Sequence, residues 1–490
     1  MSETTPAERS SAVSGSGSEP YPRRWLAAIV MVGAVLMDMI DITIVNVALP
    51  TIGRDLDASG TQLEWVVLAY MLAFAATLIT AGSFGDLLGR KRIFAGGIAA
   101  FGLASLAAGA AQYPGQVIAA RVVQGAAAAA MVPPLLGTYR VIFDRAERGK
   151  AFGIYGAIIG FSSALGLIAG GALTDADILG LGWRAIFMIN VPIAVAALVA
   201  SVRVVLETRE PQAGRPDLVG AALLAGAIVA VAYALLEGRS DGWLAWIWLL
   251  GAAGVAALIA VVAIEDRRQH ARIAPLLRTR LFRIPAFTAG LAVQFAAFAG
   301  IQGFFLIFAL WLQLGMGFSP LGAGLTTVAF SVGSFVLAPH AVALAERHGR
   351  TALSLGGVLM AAGMAGLWIG ADGVGQGSDP WPVVPGLIVA GAGLSLLLIP
   401  LVNVVLAAVP GEAAGGAGGQ FSTAQQLGGA LGVAVIGTAF FSQLEGHSFT
   451  DAFRHALPIA GGLFLAAAAL ALVLPRTAVS EEEPAAELAG

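Results

Sequence analysis

The chain has 490 residues, of which 58% are hydrophobic and 12% charged, with a mean hydropathy of +0.84. Soluble domains carry about 25% charged residues, so this balance excludes an ordinary soluble enzyme and describes a polytopic membrane protein. The absence of cysteine rules out a disulfide framework or a thiolate metal site, and the net charge of −3 averages over a strong segregation without pointing to a nucleic-acid partner.

Residues 1–24, rich in Ser, Gly, Glu and Pro, read as a disordered cytoplasmic tail. Fourteen apolar runs long enough to span a bilayer follow, at 25–47, 64–84, 93–111, 116–138, 151–173, 184–206, 218–236, 244–264, 286–314, 321–345, 351–371, 383–406, 417–441 and 457–475. The first continues well past the 7 to 15 residue core of a signal peptide and reads as a retained helix. Residues 476–490, with Glu481, Glu482 and Glu483, form a second solvated tail.

Charge checks the count. With both termini cytoplasmic, 22 of the 27 Lys and Arg residues fall on the inner side, Arg54, Arg184, Arg239 and Arg454 fall outside, and Arg121 lies within the fourth run. One missed or invented helix would reverse every later loop, so the count is even. An internal echo gives the plan: Asp86-Leu87-Leu88-Gly89-Arg90 after the second run returns as Glu346-Arg347-His348-Gly349-Arg350 after the tenth. The pattern fits a six-helix bundle at 25–206, an inserted two-helix hairpin with its flanking loops at 207–284, and a second six-helix bundle at 285–475.

The first run holds two carboxylates, Asp38 and Asp41. Asp38 lies ~20 Å along a helix from Trp25, deep in a ~30 Å hydrocarbon core. A spacing of three puts both acids on one helix face, poised to take up and release protons. Gly82 and Gly85 would let the second helix approach the other bundle, with Asp86 against the positive N-terminal end of a helix there. Arg90 would hold Asp86, with Gly89 and Lys91 completing a loop that favours one state of a two-state equilibrium. Arg121, permanently charged within an apolar run, must point inward, towards carbonyls, glutamine or the helix 1 acids. Gln294, Phe298, Gln302 and Phe305 form one stripe on the ninth helix. This mainly apolar wall with a few polar contacts suits bulky amphipathic or cationic ligands, and Asn403, Gln425 and Gln426 are similar candidates.

These residues resemble those of the 14-helix drug:proton antiporters of the major facilitator superfamily. The resemblance rests on Asp41-Ile42-Thr43-Ile44-Val45-Asn46-Val47-Ala48-Leu49-Pro50, Gly82-Ser83-Phe84-Gly85-Asp86-Leu87-Leu88-Gly89-Arg90-Lys91-Arg92 and Arg121-Val122-Val123-Gln124-Gly125. Trp183-Arg184-Ala185-Ile186-Phe187-Met188-Ile189-Asn190-Val191-Pro192 and Gln425-Gln426-Leu427-Gly428-Gly429-Ala430-Leu431-Gly432 continue it in order. Two departures stand out: Leu87 replaces a common basic residue, and Leu167 a usual proline. The resemblance implies a major facilitator fold in the cell membrane, needing no cofactor beyond the proton gradient. The expected activity is proton-coupled export of drugs, dyes or antibiotics by a monomer. The alternatives are a dedicated exporter of one self-made metabolite, a membrane-embedded enzyme and a non-transporting sensor. Five scattered histidines and the lack of a phosphate loop or metal-ligand spacing speak against the enzyme.

Overall fold

A computed structural model describes residues 21–209, 217–240, 244–270, 279–377, 379–409, 414–444 and 446–475. The tails at 1–20 and 476–490 and the loop segments at 210–216 and 271–278 lie outside the described residues.

The first bundle runs α1 (Arg24–Leu56), α2 (Gly60–Leu88), α3 (Arg90–Gly109), α4, α5 (Arg145–Asp175) and α6 (Gly182–Val204). Helix α4 is Pro114–Ala129, interrupted at Ala130 and Met131 and resumed as Val132–Ile142, because Pro133 and Pro134 lack the N–H groups that continue a helical ladder. The hairpin is α7 (Leu218–Ser240) and α8 (Ala245–His270). The second bundle runs α9 (Pro285–Leu310, extended by a π turn over Trp311–Gly315), α10 (Pro320–His348), α11 (Arg350–Gly370), α12 (Val384–Ala407), α13 (Ala414–Leu444) and α14 (Phe449–Ala471).

Thirteen helices among the described residues are long and apolar enough to cross a membrane. The fourteenth is α5, 31 residues long, whose described apolar portion is Leu165–Asp175. Their starts are encoded locally. Ser59 and Gln62 form a capping box on α2, Ser448 and Asp451 one on α14, and Ser319 caps α10 ahead of Pro320. The protein is thus an all-helical, multi-pass membrane protein.

The two bundles are the same packing used twice. Helix α1 packs on α5 and α6, α2 on α4, and α3 on α4 and α6; eight helices later, α9 packs on α13 and α14, α10 on α12, and α11 on α12 and α14. Glycine permits the close crossings: a Cβ at Gly125 would collide with the Tyr70 carbonyl, and one at Gly432 with the backbone of Ala299. The glycines beside Leu167 serve the same purpose, since Gly166 and Gly170 meet Thr43 and Ile44 of α1.

The bundles touch through α2 with α13, α5 with α10 and α1 with α9. Several of these contacts lie on the distal side, away from the face where α1 begins and α14 ends. Gly60 packs on Phe441, Gly171 on Leu321, the Leu321 N–H donates to Asp175 Oδ2 at 3.0 Å, and Gln313 Nε2 donates to the Val47 carbonyl at 2.7 Å. Helix α7 lies along α2 and α13, and α8 leans on α7.

Candidate functional site

Five helices of the first bundle converge on one buried polar cluster. Helix α1 contributes Asp38 and Asp41, both fully buried, and α4 contributes Arg121, 2% exposed. Arg121 Nη1 donates to Asp41 Oδ2, its Nε donates to the Val66 carbonyl of α2 at 3.1 Å, and Nη1 also reaches Gln124 Oε1 at 3.2 Å. Asp41 Oδ1 accepts from Asn190 Nδ2 of α6 at 2.8 Å and from Gln124 Nε2 at 3.4 Å. Gln124 Nε2 also donates to Ser105 Oγ of α3 at 2.8 Å.

The second acid is held differently. Asp38 Oδ1 accepts the hydroxyl of Tyr70 on α2, and the Tyr70 ring lies beneath the Arg121 guanidinium, 4.2 Å from the ring centroid to Cζ. Asp38 Oδ2 is buried with no hydrogen-bond partner among the described residues. The cluster therefore contains one ion pair and one further carboxyl group, all shielded from solvent. Such a cluster can change its charge by one proton without any group leaving its place.

Sequence reasoning singled out Asp38, Asp41 and Arg121, and the structure brings all three together. It did not single out Tyr70, Ser105, Gln124 or Asn190 as site residues. Gln124 and Asn190 had a signal, because they stand one turn after Arg121 and two residues before the helix 6 proline. Glu64 was also passed over; it is fully buried on α2, beside Gly437 of α13.

The 2–3 turn is built around Gly89, whose φ of +114° suits glycine. Arg90 donates from Nε and Nη2 to Asp86 Oδ1 at 2.9 and 2.7 Å and from Nη1 to the Gly137 carbonyl at 3.3 Å. Lys91 Nζ donates to the Val202 carbonyl at 2.7 Å. The nearest groups facing Gly82 and Gly85 are Pro133 and Pro134 of α4, so in this structure these glycines serve contacts within their own bundle. The echo recurs in space: Gly349 also has positive φ, and Arg350 Nη1 reaches the Leu474 carbonyl at 3.3 Å.

On α9, Gln294 is buried and its Nε2 donates to Gln425 Oε1 of α13 at 3.0 Å. Phe298, Gln302 and Phe305 are half-buried. Gln302 lies by Gly429 of α13, which also faces Met71 of α2, and Phe305 packs edge-on against Phe330 of α10 at 5.2 Å. Gln426 is buried on α13. Asn403 stands apart, exposed, in a small cavity beside Glu346 and Arg350 at the face where α1 begins and α14 ends. Among the described residues no group of three or more His, Asp or Glu comes together to hold a metal.

Comparison with known proteins bears on the family and the fold. Residues 31–433 match the Major Facilitator Superfamily, and an overlapping match covers 290–489. The chain is 40% identical over 430 residues to a probable actinorhodin transporter of Streptomyces coelicolor, covering 88% of this chain and 74% of that protein. It is 36% identical over 494 residues to the puromycin resistance protein pur8 of Streptomyces alboniger (96% and 95%) and 32% identical over 422 residues to the multidrug efflux pump LfrA of Mycolicibacterium smegmatis (85% and 81%). Among solved structures, a D-xylose-proton symporter superposes with a TM-score of 0.65 at 15% identity, covering 92% of this chain and 98% of that one. An auto-inhibited POT family peptide transporter gives 0.66 at 16% identity (94% and 99%).

Proposed function

The chain belongs to the Major Facilitator Superfamily, and from that premise we propose that it is a proton-coupled antiporter exporting amphipathic or cationic drugs, dyes or antibiotics by alternating access. The observation that carries this reading is the buried cluster of Asp38, Asp41, Arg121 and Tyr70 in the first bundle. Two carboxyl groups and one guanidinium in the membrane interior form a site whose net charge depends on one proton. The relatives named above, exporters and resistance proteins, support the direction of transport.

In the proposed cycle both termini are cytoplasmic and the monomer works alone. A proton from outside enters the Asp38–Asp41 pair and neutralises the cluster, which favours rocking of the bundles towards the cytoplasm. Substrate binding against Gln294, Phe298, Gln302, Phe305, Gln425 and Gln426, with proton release inside, returns the carrier outward. Gly82, Gly85, Asp86, Gly89, Arg90 and Lys91 act as the switch loop. Proteoliposomes loaded with a dye test this: an imposed pH gradient should drive efflux, and Asp41→Asn should abolish it. Unchanged transport in that variant removes the mechanism.

A second reading, a dedicated exporter of one self-made compound, is favoured by relatives named for single antibiotics. Growth of a pump-deficient host with and without the gene, on a panel of unrelated toxic compounds, separates the two. Protection against one compound alone supports the dedicated exporter.

A further inference from the structure

The two acids of α1 are not equivalent in their surroundings. We infer that, within the proton-coupled exchange proposed above and resting on it, Asp38 is the side chain that carries the proton, Asp41 stays ionised as the anchor of Arg121, and Tyr70 is the positioning residue between them.

Asp41 receives donors on both oxygens: Arg121 on Oδ2, Asn190 and Gln124 on Oδ1. A proton arriving there must displace a charge-assisted bond and leave a guanidinium buried beside a neutral acid. Both changes are strongly unfavourable, and the second would undo the junction of α1 with α4 and α6. Asp38 has one donor, the Tyr70 hydroxyl on Oδ1, and its buried Oδ2 has no partner among the described residues. A neutral carboxylic acid tolerates those surroundings far better than an anion does, and a proton can settle on Oδ2 without breaking any bond present.

The charge count gives the consequence. With Asp38 ionised, the cluster of Asp38, Asp41 and Arg121 carries −1; with Asp38 protonated it carries zero. A neutral cluster can be sealed from water, whereas a charged one favours the state in which water reaches it. The proton moves from water onto Asp38 Oδ2 on one side and back to water from the same atom on the other.

The charged and titratable groups facing Asp38 are Asp41 on its own helix, Tyr70 on α2 and Arg121 on α4. Helix α9 has no titratable residue within its span, and on α5 the only one between Ala151 and Thr174 is Tyr155, whose side chain lies outside the described residues. Tyr70 is fixed by the guanidinium stacked on its ring, so its hydroxyl stays aimed at Asp38.

Infrared difference spectroscopy on the purified, reconstituted protein tests the assignment without needing a substrate. An acid-to-alkaline step should remove the carbonyl band of a protonated, buried carboxyl group. Asp38→Asn should lose that band, and Asp41→Glu, which keeps the counter-ion of Arg121, should leave it in place. Should Asp38→Asn not fold, Asp38→Glu must move the band to a new frequency. Tyr70→Phe should keep the band but shift its frequency, because the hydroxyl that donates to the carboxyl group is gone. A band that survives unchanged in Asp38→Asn, or that moves in Asp41→Glu and not in Asp38→Glu, overturns the assignment. Ethidium efflux driven by a pH gradient in everted vesicles tests the underlying reading separately. A wild-type band without gradient-driven efflux of ethidium or other toxic compounds defeats the transport reading, whereas efflux with a band indifferent to Asp38→Asn defeats only this inference.

Discussion

Gln313 of the π turn after α9 donates from Nε2 to the backbone carbonyl of Val47 on α1, joining the second bundle to the first at 2.7 Å. Both residues are buried, and the bond lies on the distal side with the packing of Gly60 on Phe441 and Gly171 on Leu321. Replacing Gln313 with Leu removes a cross-bundle bond while keeping the volume. One net hydrogen bond of ~0.5–1.5 kcal/mol shifts an opening equilibrium by about 2- to 10-fold. The chain has no cysteine, so Val47→Cys creates a single thiol. Its labelling by a membrane-impermeant maleimide from the distal side should accelerate by about that factor in Gln313→Leu. An unchanged rate means the bond does not hold this side shut.

Arg121 supports the site through geometry as well as charge. Its guanidinium bonds Asp41 and the Val66 carbonyl and covers the Tyr70 ring, which an ammonium on a flexible stem cannot reproduce. Arg121→Ala leaves Asp41 buried without its counter-ion, at a cost of about 3–5 kcal/mol. Arg121→Lys should fold but lose most gradient-driven efflux. Thermal unfolding in detergent and efflux from proteoliposomes check the two expectations; equal unfolding of wild type and Arg121→Ala contradicts the first.

The spans were legible because each is a long apolar run. Asp38, Asp41 and Arg121 were legible for the converse reason: a formal charge within such a run demands an inward partner. Tyr70 and Ser105 gave no such signal, since single neutral polar residues are ordinary in membrane helices and only the convergence of α2 and α3 on α1 and α4 makes them partners. Asn403 shows the opposite case. Its amide resembled those of Gln425 and Gln426 by type, yet its position along α12 places it by Glu346 and Arg350 at the face where α1 begins and α14 ends.

At that face Arg24, where α1 begins, pairs with Glu147, ahead of the apolar run of α5, with Nε to Oε2 at 2.6 Å. The hydrogen bond from Arg24 holds the Glu147 carboxyl below its ordinary value of 4.5. A lowered folded value means stability that is present above about pH 4.5 and is lost as the pH falls through the lowered value. Wild type should therefore unfold at a slightly higher temperature than Glu147→Gln near neutral pH, and the two should converge in acid. Parallel curves at all pH values contradict this; the pair is only part-buried, so the difference should also shrink in high salt.

The Gln294–Gln425 bond and the Phe305–Phe330 edge contact join α9 to α13 and α10. If that face meets substrate, Gln425→Leu leaves Gln294 without its acceptor and removes about 1 kcal/mol of polar contact, raising KM ~5-fold for substrates carrying hydrogen-bonding groups. Phe305→Ala should raise KM for all substrates, since it strips apolar surface that none can replace. Efflux kinetics with one polar and one apolar dye separate the two patterns. Equal effects of Gln425→Leu on both dyes would mean the amide acts through packing.

The inserted hairpin is tied to the first bundle by a polar link. Trp65 Nε1 of α2 donates to Glu237 Oε1 of α7 at 3.0 Å, and the Trp65 ring packs near Tyr233 at 6.3 Å. Helix α7 also lies along α13, so it sits across the seam that must widen if the bundles rock apart. A helix anchored to the first bundle by a directional bond should travel with it. Joining Trp65→Cys to Glu237→Cys with a short bifunctional maleimide should therefore leave dye efflux intact. A cross-link from α7 to α13, made through one cysteine on each of their facing sides, should stop it. Loss of efflux with the first cross-link would show instead that α7 slides along α2 during the cycle.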